Sequence, residues 1–84
     1  MAGPYRIEIK KSAAKEIRAI GRKKDRQRVV DRIGALAGDP RPPGCTKLSG
    51  RDAYRVRQGE YRIVYTVDDG VLVVEVVNRR DVYR

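Results

Sequence analysis

Eighty-four residues carry 20 Lys and Arg against 11 Asp and Glu, a formal net charge of +9, with one cysteine and no histidine. A chain of this length makes one small domain, residues 1–84, with a modest core. Without histidine, and with Cys45 alone, a nitrogen and sulfur zinc site, imidazole acid–base chemistry and an internal disulfide are all excluded. The charge is uneven: residues 1–50 hold 13 basic and 5 acidic side chains, residues 51–84 hold 7 and 6. That balance favours polyanionic partners, either nucleic acid or an acidic protein. No stretch approaches the roughly 20 apolar residues of a membrane span. The first residues lack the apolar run of a secretory leader, so a cytoplasmic location is expected, with no membrane partner.

Tyr5-Arg6-Ile7-Glu8-Ile9-Lys10 alternates apolar and charged residues. It predicts a short strand with Tyr5, Ile7 and Ile9 inward, and residues 1–4 disordered ahead of it. Ser12 fits the N-cap of a first helix, in which Ala13, Ala14, Ile17 and Ile20 recur at helical spacing and Gly21 ends the run. Arg22-Lys23-Lys24 is a basic corner. Asp25 fits the cap of a second helix, about Arg26 to Ala37, with Val29, Val30, Ile33, Leu36 and Ala37 as its apolar stripe. Arg26, Arg28, Asp31 and Arg32 fall on its other face, which reads equally as a solvated surface or as one that docks on nucleic-acid phosphates. Gly38-Asp39-Pro40 ends the helix. Residues 41–46 predict a stiff loop with Cys45 a bystander, and then Lys47 at the surface and Leu48 as a core plug.

From Tyr54 to Tyr83, β-branched and aromatic residues dominate, cut by glycine turn signals at Gln58-Gly59 and Asp69-Gly70. These predict three antiparallel strands in a meander. With two-residue turns at those points, Arg55 faces Arg62 and Glu60 faces Arg79. Alternation then places Tyr54, Val56, Tyr61, Ile63, Tyr65, Val67, Leu72, Val74 and Val76 on the core face. Arg55, Arg57, Arg62 and Arg79 share the opposite face. Two arginines directly across a sheet repel, so the constellation suits an anionic ligand better than it suits stability alone. The whole chain is an α+β pattern, β-α-α-β-β-β, with the two helices on one face of an antiparallel sheet.

That order resembles the RelE/ParE superfamily of bacterial and archaeal toxins. The likeness rests on Leu48-Ser49-Gly50 just before the sheet, on the strand Tyr61-Arg62-Ile63-Val64-Tyr65, and on the basic tail Asn78-Arg79-Arg80-Asp81-Val82-Tyr83. It covers essentially the whole chain and implies a toxin of a type II toxin–antitoxin system, of the RelE-like branch. What it implies further is a ribosome-dependent mRNA endoribonuclease, needing no cofactor or metal and using the substrate 2′-OH as nucleophile. Carried over by motif, the catalytic positions are Arg55, Arg57, Arg62, Arg79 and Tyr83. Arg22, Lys23, Lys24, Arg26, Lys47 and Arg80 are the candidates for contacts with mRNA and ribosomal RNA. A cognate antitoxin, forming a toxin–antitoxin hetero-oligomer, is the implied protein partner. Two departures stand out: Val77-Asn78 replaces a frequent Gly-His or Gly-Lys, and Arg55 and Arg57 replace frequent lysines. Two alternatives stay open, a ParE-like DNA gyrase poison and a catalytically degenerate toxin that only binds its partner.

Overall fold

The computed structural model describes residues 5–50 and 52–79. In chain order the elements are β1 (Arg6–Ile9), α1 (Lys11–Arg18), α2 (Lys23–Gly38), β2 (Thr46–Lys47), β3 (Ala53–Gln58), β4 (Tyr61–Asp68) and β5 (Val71–Arg79). The predicted α+β order is present, and Thr46–Lys47, expected as loop, adds a short strand. The five strands form one sheet in the order β1-β5-β4-β3-β2. β1 lies parallel to β5 and the other pairs are antiparallel. The crossover through α1 and α2 therefore places both helices over one face, above a core of Ile17, Val29, Ile33, Leu36, Val56, Ile63, Tyr65, Leu72 and Val74.

The helix ends differ from those expected. α1 starts at Lys11, with Lys10 and not Ser12 in the cap position and no side chain capping it. The Lys10 N–H is still bonded to the Val74 carbonyl, so the chain passes from sheet to helix with no spacer, and the sheet sets the first turn. At the other end Ala19 is the cap, not a residue beside Gly21, and the Arg26 guanidinium donates to the Ile20 carbonyl at 2.9 Å. α2 starts at Lys23 after Arg22, and Asp25 sits within the first turn rather than at the cap. There its carboxylate faces the positive end of the helix dipole. α2 buries Val29, Ile33, Leu36 and Ala37, but Val30 is 44% exposed, and Ile9, expected inward, is 42% exposed. A helix lying on one sheet face buries only a stripe, and Val30 falls just outside it. Leu48 is half-buried and lies outside the core cluster. Its N–H bonds the Ala53 carbonyl at 2.8 Å, so it anchors the entry to β3 rather than plugging the core.

Two features of the sheet decide where the arginines point. The first hairpin turns on Gly59-Glu60, not on Gln58-Gly59: Gln58 pairs with Tyr61, and only Gly59 takes a positive φ, of 62°. Arg57, not Arg55, is therefore opposite Arg62, and Arg55 is opposite Val64. A shift of two residues leaves every face unchanged. The second hairpin turns on Asp69-Gly70 as expected, both with positive φ. Farther along, however, Tyr65 pairs with Val74 while Val64 pairs with Val76, so Glu75 is an extra residue on β5. This bulge is a one-residue shift and exchanges the faces of all that follows. Val77 replaces Val76 in the core. Asn78 moves opposite Arg62, and Arg79 moves opposite Tyr61, off the arginine face.

The strand beyond the bulge is held from outside the sheet. β1 ends at Ile9, opposite Val74, leaving the outer edge of β5 bare from there on. The Val77 N–H on that edge donates to Glu16 Oε1 of α1 at 2.7 Å. At the far side of the core, Tyr65 is fully buried, stacks on Tyr54 with ring centroids 5.9 Å apart, and donates its hydroxyl to the Pro40 carbonyl at 2.6 Å. Burial, with the Cys45 thiol beside it, pushes the Tyr65 phenol well above its ordinary range.

Two outcomes follow from these contacts. Glu16→Ala orphans a partly buried N–H and removes a charge-assisted bond, so urea unfolding should show a loss of about 1.5–3 kcal/mol, with Glu16→Gln losing less. Tyr65 keeps its proton in the folded state above the unfolded value of about 10, so its contribution to stability is complete below that pH and declines as pH rises above it. Alkaline unfolding of Tyr65→Phe, followed by circular dichroism, should be correspondingly less steep in pH than that of the wild type.

Candidate functional site

On the face away from the helices, Arg57, Arg62 and Asn78 form a row across β3, β4 and β5. Residues directly opposite in antiparallel strands have Cα atoms about 4.5–5.5 Å apart, so Arg57 and Arg62 are forced close together. Arg55 lies two residues before Arg57 on the same face, diagonal to Arg62. Arg57 is exposed, and Arg55 and Arg62 are half-buried. Next along the face, Val64 and Val76 pair with each other and are half-buried, giving the row an apolar floor. Three guanidinium groups on one patch present forks that match phosphate oxygens bidentately. Like charges directly opposite destabilise a sheet, and an anion laid across the strands relieves that repulsion.

The structure separates Arg79 from this row. Its Nε and Nη2 donate to Glu60 Oε1 at 3.2 and 2.8 Å, an exposed pair at the tip of the first hairpin. Arg79 lines a cleft of about 590 Å³ between that tip and the α1–α2 corner, together with Arg22 and Asp25. Arg22, Lys23 and Lys24 are exposed at this corner, whereas Arg26 is half-buried and engaged with the Ile20 carbonyl. Lys47 is exposed on the opposite edge, 3.7 Å from Asp52. Tyr83 and Arg80 lie outside the described residues. Asn78 is the residue that alternation alone put on the wrong face. Arg32 was assigned to the helix face away from the core, yet it is half-buried. Its position between Val29 and Leu36, three residues after one and four before the other, was the signal for that.

Among the described residues no group of three or more His, Cys, Asp and Glu side chains is placed to hold a metal ion, and no helix is long and apolar enough to cross a membrane. The sequence matches the family described as the ParE toxin of type II toxin–antitoxin systems over residues 7–83. The chain belongs to that toxin family. Its fold is shared with the isolated RelE toxin of E. coli, at 27% identity and a TM-score of 0.81 over 95% of this chain and 88% of that one. The RelE–RelB complex of Pyrococcus horikoshii matches at 26% and 0.79, over 95% and 99%. A chromosomal ParDE system of P. aeruginosa matches at 11% and 0.76, over 92% and 97%, and so shares the fold. No curated protein matches the sequence.

Because Arg57 contributes repulsion and no ion pair, Arg57→Ala should leave the thermal midpoint of the toxin level or raise it, within about 0.5 kcal/mol. Toxicity on induction should fall in the same variant. A drop in the midpoint of several degrees would show Arg57 to be structural.

Proposed function

We propose that this toxin is a ribosome-dependent mRNA endoribonuclease that inhibits translation in the cytoplasm and is neutralised by a cognate antitoxin. The observation that supports this reading is the row of Arg57, Arg62 and Asn78 with Arg55 beside it, on an open sheet face with an apolar floor. RNA brings its own nucleophile, the 2′-OH next to the scissile phosphate. Cleavage then needs three things: a base for that hydroxyl, positive charge for the phosphorane-like transition state, and an acid for the leaving 5′-oxygen. Preorganised charge at a developing anion is usually the largest of these contributions, and Arg55, Arg57 and Arg62 supply it. Asn78, opposite Arg62, offers an amide that hydrogen-bonds without changing charge.

Tyr83 is the base in this proposal. An ordinary phenol has a pKa of about 10, and the role asks for guanidinium groups beside it to favour the phenolate. Arg79, engaged by Glu60, serves the hairpin tip rather than the phosphate. The arginines are weak candidates for the leaving-group acid, since arginine does not give up its proton readily, which leaves ribosomal RNA or water for that step. The ribosome, by bending the message, supplies orientation that can be worth several orders of magnitude. Arg22, Lys23, Lys24 and Lys47 provide phosphate contacts that position the toxin on ribosomal RNA without reading sequence. RelE relatives are seen in complex with RelB antitoxins, and a +9 chain suits an acidic, wrapping segment of that kind.

The family match and the ParDE likeness favour a second reading, in which the same basic face engages DNA gyrase. Inducing the toxin, mapping mRNA 5′ ends on ribosomes and assaying gyrase supercoiling separates the two. Codon-phased cleavage with unaffected supercoiling supports the nuclease, and the reverse pattern overturns it. In single-turnover cleavage of a programmed ribosome, Tyr83→Phe should lower the rate by about 10²–10⁴-fold and flatten its rise with pH, while ribosome binding persists. A wild-type rate would leave Tyr83 a packing residue.

A further inference from the structure

β2 covers the edge of β3 only at Tyr54 and Arg55, so the backbone edge from Val56 to Gln58 is open. Beside that edge lies a cleft of about 400 Å³ lined by Arg32 of α2, Arg55 and Arg57 of β3, and Gly44 and Thr46 of the preceding loop and β2. Among the described residues no carboxylate lines it. None of the three arginines makes an ion pair or side-chain hydrogen bond among the described residues. Arg32 Nε is moreover shielded from solvent with no hydrogen-bond partner. Burying a charged donor without an acceptor is costly, and three like charges around one cleft add repulsion.

We infer that this cleft is a second anion subsite, in which Arg32 joins Arg55 and Arg57 to hold a backbone phosphate of the RNA strand next to the one on the open face. The inference rests on the nuclease reading and extends its substrate path around the edge of the sheet. Arg55 and Arg57 belong to both places, so a strand crossing the face continues into the cleft without a break. Residues two apart on a strand advance about 6.8 Å, a spacing comparable with that of successive phosphates along a single strand. The lining favours nucleic acid over an acidic protein segment. It consists of arginines, a hydroxyl and a glycine, with no apolar pocket for the aromatic or aliphatic anchors that protein interfaces depend on. Phosphates need only charge and forked donors. Arg32 is thus a positioning residue, apart from the reacting atoms.

The test is an NMR titration of arginine Nε–H signals in the intact chain, with three probes in turn. These are inorganic phosphate, a short 2′-O-methyl oligoribonucleotide that cannot be cleaved, and a glutamate peptide of equal charge. The Arg32 Nε–H signal should shift saturably with the first two, together with those of Arg55 and Arg57. Arg32→Gln should weaken oligonucleotide binding at least about five-fold and reduce the salt slope by about 0.7, the contribution of one phosphate on a single strand. Arg32→Lys should recover only part, since lysine lacks the fork. An Arg32 signal that stays fixed while Arg55 and Arg57 move overturns the subsite, and this wild-type measurement stands even if Arg32→Gln fails to fold. Tighter binding of the glutamate peptide than of the oligonucleotide overturns the RNA assignment in favour of an acidic protein. Cleavage on ribosomes that is as efficient in Arg32→Gln as in wild type overturns the subsite alone. Arg32-dependent phosphate binding without any cleavage overturns the nuclease reading and leaves the anion cleft standing.

Discussion

The extra residue in β5, Glu75, is the constraint on which the rest of the arrangement depends. Strand side chains alternate with a period of two, so a single inserted residue reverses every later choice between core and surface. Without the bulge, Val76 would fill the core, Arg79 would join the arginine face and Asn78 would turn away from it. With the bulge, Val77 fills the core and a neutral amide sits opposite Arg62. The bulge also falls just where β1 stops pairing, opposite Val74. α1 can therefore reach the free edge of β5 with Glu16. A helix carboxylate thus takes up a β5 N–H that β1 leaves unpaired.

The same sheet divides two kinds of chemistry. Its helix-covered side is apolar and closed, with Tyr65 locked by its hydroxyl bond to Pro40 and its stack on Tyr54. The open side brings Arg57 and Arg62 directly opposite each other by register, a pairing of like charges that contributes nothing favourable of its own to the sheet. The packed side holds the strands whose register sets where Arg55, Arg57 and Arg62 sit. The Arg79–Glu60 pair, exposed at the hairpin tip, contributes little to stability. It engages an arginine that the bulge has already turned off the row.

Much of the fold was legible in the sequence. Period-two alternation in residues 5–10 and β-branched and aromatic runs between glycine turns from residue 54 onward marked the strands, and the 3.6 period marked both helices. Asp69-Gly70 marked its turn because the two residues tolerate positive φ better than most. Local propensity points to Ser12 and Asp25 as caps and to Gly59 as a turn residue, but it does not fix on which side of Gly59 the two-residue turn falls. Tertiary bonds prevailed instead, the Lys10 N–H to Val74 at the first helix and the Gly59-Glu60 turn at the hairpin. Thr46–Lys47 became a strand only because β3 offered an edge to pair with.

By itself the sequence determined composition-level and periodic facts: a basic chain without histidine, the element types, and which of Arg55, Arg57 and Arg62 share a face, since a two-residue register change cannot alter that. Only the tertiary structure decided what depends on a one-residue count or on distance through space. It put β1 beside β5, moved Asn78 onto the open face and Arg79 off it, and brought Arg32 to the edge of β3 next to Arg55 and Arg57. Local pattern encodes period but not phase after a bulge. It also carries no record of which helix side chain meets which strand, because that meeting is set by how α2 lies across the sheet.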